Sequence, residues 1–220
     1  MKHAHASLLV LALVCTAGPA AAQEAWRGHV VSFTAKLFDS GGGFSHLQRD
    51  YSWAKKLAAA DHVVLDDDVI FAAAYLHDVG SMDGWSEPNQ EHGDVAAAKL
   101  DRMLAGTDFP KEKMDRVREA MRTHMFYREA GPGLEARYLH DADALDNVGT
   151  VGIAWLLQGV NAKGSAFTSA KAIGILTKGA LKIEQGVVTP AGKAEMAIRI
   201  PERKMFLDQL ARETDGFKEF

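Results

Sequence analysis

Apolar residues recur along most of the chain at the three- and four-residue intervals of amphipathic helices. Val69, Ala72 and Leu76 form one such stripe, and another begins at Val95. Alternation of apolar and polar residues, which is typical of strands, is scarce, and 183–189 is the one strand-like candidate. The pattern therefore predicts a chain built almost entirely of helices.

Clusters of glycine and proline divide this pattern into segments. Between them, the spacing predicts helices near 24–38, 44–60, 66–78, 90–105, 110–125, 133–147, 149–160, 167–181 and 190–213. Asp66, Asp67 and Asp68 start the third helix, where the helix dipole favours acidic groups. The predicted fold class is all-α, a compact helical bundle.

The first 22 residues have the layout of a secretory signal peptide. Lys2 precedes an apolar run that is too short to span a bilayer, and three alanines ending at Ala22 form a small-residue cleavage pattern. A buried N-terminal helix is the alternative. We expect cleavage after Ala22, which leaves a single domain over 23–220 in the periplasm or outside the cell.

The composition of the 220 residues, 47% hydrophobic and 25% charged, is that of an ordinary folded protein. The formal net charge of −4 argues against a nucleic-acid partner, because such proteins usually carry a basic surplus. The one cysteine, Cys15, lies in the predicted signal peptide, so no disulfide framework is expected. No later stretch approaches 18 apolar residues, and no membrane span is expected.

Histidines and aspartates at the predicted helix ends are the main chemical feature of the sequence. Those that we single out are His46, His77, Asp78, His92, His124 and Asp143. His77 and Asp78 close a strongly apolar helix, and both groups are costly to bury without partners. Because adjacent helical residues point about 100° apart, both of them can reach one ion beyond the helix end.

Imidazoles and carboxylates without thiolates suit Mn²⁺, Fe²⁺, Zn²⁺, Ni²⁺ or Co²⁺. Since the candidate ligands fall on several predicted helices, we expect one or two divalent ions inside the bundle.

The same residues resemble the HD superfamily of metal-dependent phosphohydrolases, which is named after its His-Asp doublet. The stretches AAAYLHDVG and LHDADALDNVGTVGIA are similar to small bacterial HD proteins that hydrolyse nucleotides. The resemblance covers roughly residues 44–160 and leaves 161–220 as a helical C-terminal extension of the same domain. It implies an HD-type helical bundle with a metal site in its core.

The resemblance also implies a ligand set of His46, His77, Asp78 and Asp143. Asp143 is preferred over Asp141 because it stands in an Ala-Asp-x-Leu motif, as does the final ligand of related hydrolases. Asn147 matches the position that contacts the nucleotide sugar in those enzymes. Whether Asp141 or Asp146 also contacts the metal stays open.

His92 and His124 match the extra histidines of HD branches that hold two metals, and we predict that they serve a second ion. A solvent-facing histidine at position 92 and a helix C-cap at position 124 are the alternatives. Both histidines could also contact substrate phosphate.

The predicted activity is hydrolysis of a small phosphorylated molecule, plausibly a nucleotide, by metal-activated water. His77 and Asp78 are the catalytic candidates, and Asp78 is expected both to bind metal and to hydrogen-bond the attacking water. Arg49, Arg122 and Arg128 are candidate phosphate contacts.

Two other functions remain open at this point. One is a di-iron protein of the HD type that activates oxygen, and the other is a non-catalytic exported metal-binding module. The oligomeric state is left open as well.

Overall fold

The computed structural model describes residues 19–38, 43–160 and 167–219, and the regular secondary structure of these residues is entirely helical. The helices are α1 (Pro19–Leu37), α2 (Gly43–Ala60), α3 (Asp67–Leu76), α4 (His92–Ala98), α5 (Leu100–Met103), α6 (Met114–Arg122), α7 (Leu134–Val148), α8 (Thr150–Gln158), α9 (Ser169–Gly174), α10 (Ala180–Gly186) and α11 (Pro190–Glu213). Short 3-10 turns occupy His77–Ser81 and Lys111–Lys113, and a π-helical turn, Ile175–Gly179, joins α9 to α10. The all-α fold predicted from the sequence is confirmed.

Helix α3 forms the centre of the bundle and is buried on all sides from Asp68 to Leu76. It begins cleanly because the side chain of Asp66 accepts hydrogen bonds from the backbone N–H groups of Asp68 and Val69. Three consecutive alanines, 72–74, allow α2, α6 and α7 to pack closely against it. This packing fixes where the end of α3 delivers His77.

Helix α1 is anchored by Trp26, which is buried and meets Phe71 and Phe109 edge to face at ring-centroid distances of 5.5 and 4.8 Å. Such aromatic pairs each contribute about 0.5–1.5 kcal/mol beyond the apolar area that they bury. These contacts of Trp26 lie after the predicted cleavage site at Ala22.

The buried carboxylate of Asp141 ties the C-terminal helix to α7. It accepts hydrogen bonds from the backbone N–H of Val188 (2.9 Å) and from both the N–H (2.7 Å) and the hydroxyl (2.6 Å) of Thr189. Thr189 in turn caps α11 through a bond from Gly192 N–H. Asp141 thus has a structural role at the start of α11.

Most predicted helices agree with the structure, and α11 coincides with 190–213. The helix predicted over 66–78 ends at Leu76, and the segment predicted over 90–105 is divided into α4 and α5. The strand-like interpretation of 183–189 is wrong, because α10 continues to Gly186 and only the short connection to α11 is extended.

None of the described helices combines the length and apolar character that a membrane span requires. Most of the predicted signal peptide, residues 1–18, lies outside the described residues.

Candidate metal centre

The six predicted ligands come from separate parts of the bundle and meet beyond the end of α3. They are His46 on α2, His77 and Asp78 in the turn after α3, His92 at the start of α4, His124 just after α6, and Asp143 on α7. The fold therefore brings together every member of the predicted ligand set.

Two glycines allow these elements to approach so closely. A β-carbon on Gly80 would lie 2.1 Å from the carbonyl oxygen of His92, so only glycine lets the turn after α3 touch the start of α4. A β-carbon on Gly93 would lie 2.6 Å from the carbonyl oxygen of Met121 and 3.1 Å from the ring of His124. Both contacts set the positions of His92 and His124 relative to Asp78.

His46, Asp50, His77 and Asp143 form what we call the inner cluster, whose candidate donor atoms all lie within 4.8 Å of one another. His46 Nε2 lies 3.2 Å from Asp50 Oδ2 and 3.4 Å from Asp143 Oδ1. His77 Nε2 lies 3.7 Å from Asp50 Oδ2. Only His46 of these four side chains has more than slight exposure, so the cluster lies at the boundary between the core and solvent.

Asp78, His92 and His124 form what we call the outer cluster. Asp78 Oδ1 lies 3.2 Å from His92 Nε2 and 3.6 Å from His124 Nε2, and these two nitrogens are 3.1 Å apart. The same oxygen is 3.4 Å from His77 Nε2, whereas Asp78 Oδ2 faces His46 Nε2 at 3.6 Å. Asp78 thus directs one oxygen towards each cluster.

Hydrogen bonds at Nδ1 fix the tautomers of three histidines. His77 Nδ1 donates to the carbonyl of Ala74 (2.9 Å), and His124 Nδ1 donates to the carbonyl of Met121 (2.7 Å). Neither carbonyl can act as a donor, so the proton is on Nδ1 and the Nε2 lone pair faces the site. His46 Nδ1 similarly donates to Asp146 (2.8 Å).

The centre of the site is therefore surrounded by hydrogen-bond acceptors. Both carboxylate oxygens of Asp50, Nε2 of His77 and Oδ2 of Asp143 are buried and have no hydrogen-bond partner among the described residues. Donors that share an ion at about 2.0–2.2 Å stand roughly 3–4 Å apart, which is the spacing seen in both clusters. This set of nitrogen and oxygen donors fits a divalent cation.

The pKa values of the clustered histidines differ with their surroundings. Burial lowers the pKa of His124 to about 4 and also lowers that of His77, so both rings are neutral and available as ligands. Burial alone would lower the pKa of His46, but Asp50 and hydrogen bonds with Asp143 and Asp146 raise it well above its usual value. Without a metal ion, a proton on His46 offsets part of the negative charge.

The pKa values of Asp78 and Asp50 are shifted in opposite directions. Burial would raise the pKa of Asp78, but the surrounding histidines, led by His77, hold it well below its usual value. Asp50 shows the reverse effect, since burial and the charges of neighbouring carboxylates raise its pKa strongly against the opposing effect of His46.

Asp146 orients the ring of His46 from the side of Nδ1, which faces away from the centre of the site. It accepts the Nδ1 bond of His46 together with two bonds from Arg49, at 2.6 Å from Nε and 2.8 Å from Nη2. Although burial would raise its pKa, Arg49 and His46 lower it to about 2. Asn147 likewise donates to Asp143 Oδ1 (2.8 Å). Both residues support ligands through hydrogen bonds, as is common around metal sites.

A cavity of about 430 Å³ opens directly onto the two clusters. Its polar lining includes His46, Asp78, His92 and Asp143. Its apolar lining consists of Phe38, Met82, Met125 and Trp155. The volume is within the range of small-molecule sites, so a ligand with one charged end and one apolar end would match the lining.

The three candidate phosphate contacts do not lie together. Arg49 lines the cavity, and its bonds to Asp146 use two of its five N–H groups. Arg128 instead forms a bidentate ion pair with Asp94 (2.9 and 2.6 Å). Arg122, at the end of α6, also lies outside the cavity lining.

Asp50 is the member of the site that the sequence interpretation missed. It follows His46 by four residues on α2, which places both side chains on one helix face. That spacing is the one signal in the sequence that could have found it.

Comparisons with known proteins agree with this geometry. A model of the HD domain family matches residues 43–148, which contain all the residues of both clusters. A comparison with curated proteins returns no match.

Solved structures share the fold over most of the chain. Bacillus subtilis YpgQ, solved in complex with ADP, superposes with a TM-score of 0.65 at 19% identity and covers 87% of this chain and 96% of its own. An HD-superfamily hydrolase from Bacillus thuringiensis gives 0.64 at 21% identity, with coverage of 87% and 97%. A predicted HD-superfamily hydrolase from an uncultured Thermotogales bacterium gives 0.58 at 19% identity, with coverage of 86% and 91%.

The family match and the superpositions confirm the resemblance stated from the motifs, with the His-Asp doublet at His77 and Asp78. Residues 43–148 match the HD domain model, and the solved structures share the helical fold of this part of the chain.

Proposed function

We propose that this protein hydrolyses a small phosphorylated molecule, such as a nucleotide, with one or two divalent ions held by the inner and outer clusters. The observation that carries the proposal is the acceptor-rich centre at the floor of the cavity. The Nε2 lone pairs of His77 and His124 and several buried carboxylate oxygens face this centre. Such an arrangement is unfavourable unless cations occupy it.

The chain's own residues have distinct tasks in this proposal. Bound divalent ions supply a water of lowered pKa and positive charge against the phosphoryl oxygens. Asp78 directs its carboxylate towards both clusters while 25% of its side chain remains exposed to the cavity, so it is positioned to accept a proton from an attacking water. Burial keeps His77 neutral behind it, and the bond from Nδ1 to the Ala74 carbonyl fixes the orientation of its ring.

The cavity lining supports a nucleotide over a small inorganic ester. Phe38, Met82, Met125 and Trp155 provide an apolar wall next to the charged floor. A base or similar ring would contact this wall while its phosphate reached the clusters, and stacking on an aromatic side chain contributes about 1–3 kcal/mol per base. The ADP in the YpgQ structure is consistent with a phosphorylated ligand for this fold.

The test is phosphate release by metal-loaded protein. The chain, stripped with a chelator and reloaded with Mn²⁺, Fe²⁺, Co²⁺, Ni²⁺ or Zn²⁺, is assayed against nucleoside mono-, di- and triphosphates and against simple phosphomonoesters. We expect turnover with at least one ion, and loss of both turnover and metal in His77→Ala and Asp78→Ala. His29→Ala, which changes an exposed histidine on α1, is the matched control.

Two results would contradict the proposal. Metal-loaded protein that releases no phosphate across the whole panel would favour a non-catalytic metal-binding module. Turnover that consumes O₂ with iron bound would favour the oxygen-activating type of HD protein.

We also propose that the protein is exported and acts in the periplasm or outside the cell. The support is the charged, apolar and small-residue layout of 1–22, with cleavage after Ala22. Cleavage there would shorten α1, which begins at Pro19, but would leave the Trp26 contacts intact. N-terminal sequencing of protein from native cells tests this, and an intact Met1 would contradict it.

A further inference from the structure

Asp50 is a buried carboxyl group whose ionisable neighbours His46 and His77 are themselves predicted metal ligands. Its side chain has no exposed surface, and neither of its oxygens receives a hydrogen bond from the described residues. The neighbouring cation, Arg49, directs its guanidinium to Asp146 instead. Because a fully buried carboxyl group without hydrogen bonds is costly, a residue in this state needs a compensating function.

The surroundings of Asp50 identify what it lacks. Its Oδ2 lies 3.2 Å from His46 Nε2 and 3.7 Å from His77 Nε2. The Nδ1 bonds of these two histidines, to Asp146 and to the Ala74 carbonyl, leave both Nε2 atoms as lone pairs when the rings are neutral. Asp50 therefore faces acceptors, and a cation between them would satisfy all three groups at once.

We infer that Asp50 is a direct ligand of the ion in the inner cluster, in addition to the four ligands that the HD motif implies. This inference rests on the proposed function for the presence of an ion. A further carboxylate makes the inner cluster rich in oxygen donors, with Asp50, Asp78 and Asp143 facing His46 and His77. Such a site should reduce the usual advantage of Zn²⁺ over Mn²⁺ and Fe²⁺ in affinity, since carboxylate oxygens suit Mn²⁺ and Zn²⁺ prefers fewer ligands.

The variants Asp50→Asn and Asp50→Leu remove the charge at nearly constant side-chain size. Asp146→Asn is the matched control, because Asp146 touches the same histidine from the opposite side through Nδ1. Affinities for Mn²⁺ and Zn²⁺ are measured by competition with a chromophoric chelator, and melting temperatures are measured with and without metal.

We expect Asp50→Asn to weaken Mn²⁺ binding about 100-fold and Zn²⁺ binding clearly less, so that the preference between the two ions changes. In Asp146→Asn the two affinities should fall by similar factors. Metal-free Asp50→Asn and Asp50→Leu should melt at or above the wild-type temperature, because a buried carboxyl group without hydrogen bonds, close to the carboxylate of Asp143, is gone. Their stabilisation by Mn²⁺ should be smaller than that of the wild type.

The inference is overturned if both Asp50 variants bind Mn²⁺ as tightly as the wild type, or if both melt well below the wild type without metal. Either result would give Asp50 a structural role and leave the hydrolase proposal standing. Conversely, a wild-type protein that binds metal but hydrolyses nothing would remove the proposed function, while the affinity data would still decide the role of Asp50.

Discussion

Replacement of His92 by alanine separates a one-ion site from a two-ion site. His92 Nε2 lies 3.1 Å from His124 Nε2 and 3.2 Å from Asp78 Oδ1, but His92 is not part of the inner cluster. Its side chain is 23% exposed, so its truncation leaves a gap that water can fill. We expect His92→Ala, and more completely the His92→Ala/His124→Ala pair, to reduce the metal content from two ions per chain to one.

The expected loss of stability follows from the linkage between binding and folding. An ion present at 100 times its dissociation constant stabilises the folded state by about 2.7 kcal/mol. For a domain of this size, about 1 kcal/mol moves the melting temperature by about 2–4 °C, so each ion should raise it by about 5–11 °C. The wild type with two ions should then show roughly twice the metal-induced shift of His92→Ala.

The number of ions per chain is measured by elemental analysis of protein saturated with Mn²⁺ or Fe²⁺. The metal-induced shift in melting temperature is measured from melting curves with and without metal. His29→Ala serves as the control, because it removes an exposed imidazole whose Nε2 contacts only the Met103 carbonyl among the described residues. A wild-type content of one ion per chain would refute the reasoning. So would an unchanged metal content in the double variant with a raised Michaelis constant, which would assign both histidines to substrate phosphate.

Three further predictions use other parts of the structure. Gly80→Ala should destabilise the protein by about 1–3 kcal/mol in denaturant melts, because its new methyl would collide with the His92 carbonyl, whereas Gly28→Ala, with open space around it, should be neutral or slightly stabilising. Trp155→Ala should raise the Michaelis constant for nucleotides about tenfold or more, because a stacking surface of the cavity is lost. The Michaelis constant for a small phosphomonoester without a ring should not change, and equal effects on both substrates would contradict the stacking role. Neighbouring carboxylates raise the pKa of His46 against the effect of burial, so an ion must displace a proton from His46 at any pH below that pKa. In this range, metal affinity measured by chelator competition should increase about tenfold for each unit by which the pH is raised. An affinity that does not change with pH would contradict this.

The sequence was sufficient to predict the fold class, and to single out the histidines and aspartates that the fold brings together, for a physical reason. Helical periodicity is a local property, and α11 could be placed at 190–213 from spacing and Thr189-Pro190 alone. The ligand residues are chemically unusual wherever they stand, because a His-Asp pair at the end of an apolar helix needs a partner. Both signals are visible without knowledge of tertiary contacts.

What the sequence did not indicate depends on tertiary contacts. Helix α3 ends at Leu76 rather than at Asp78, and the turn that follows packs against α4 through Gly80. This contact joins two segments that the hydrophobic pattern treats as separate helices. Arg128 is close to the motifs in sequence, yet its guanidinium is bound to Asp94, 34 residues earlier. Which face of α2 meets the other ligands was also unknown, so Asp50 could not be distinguished from an ordinary helical aspartate.

The metal centre also has a consequence for how the bundle is held together. Helices α2 and α7 meet at His46, Asp143 and Asp146, and the hydrogen bonds of His46 Nδ1 and Arg49 to Asp146 lie behind the ligands. In front of them, both oxygens of Asp50 and Oδ2 of Asp143 are buried without a hydrogen-bond donor among the described residues. The repulsion between these two carboxylates, which a proton on His46 offsets only in part, opposes the packing of the two helices. A bound cation would reverse the sign of this interaction, since both carboxylates would then be attracted to one charge.

Removal of metal should therefore loosen the contact between α2 and α7 before the core around α3, and hydrogen exchange of the amides in α2 with and without metal measures that difference. Equal protection of α2 in the two states would show that the bonds behind the ligands are sufficient to hold the helices together.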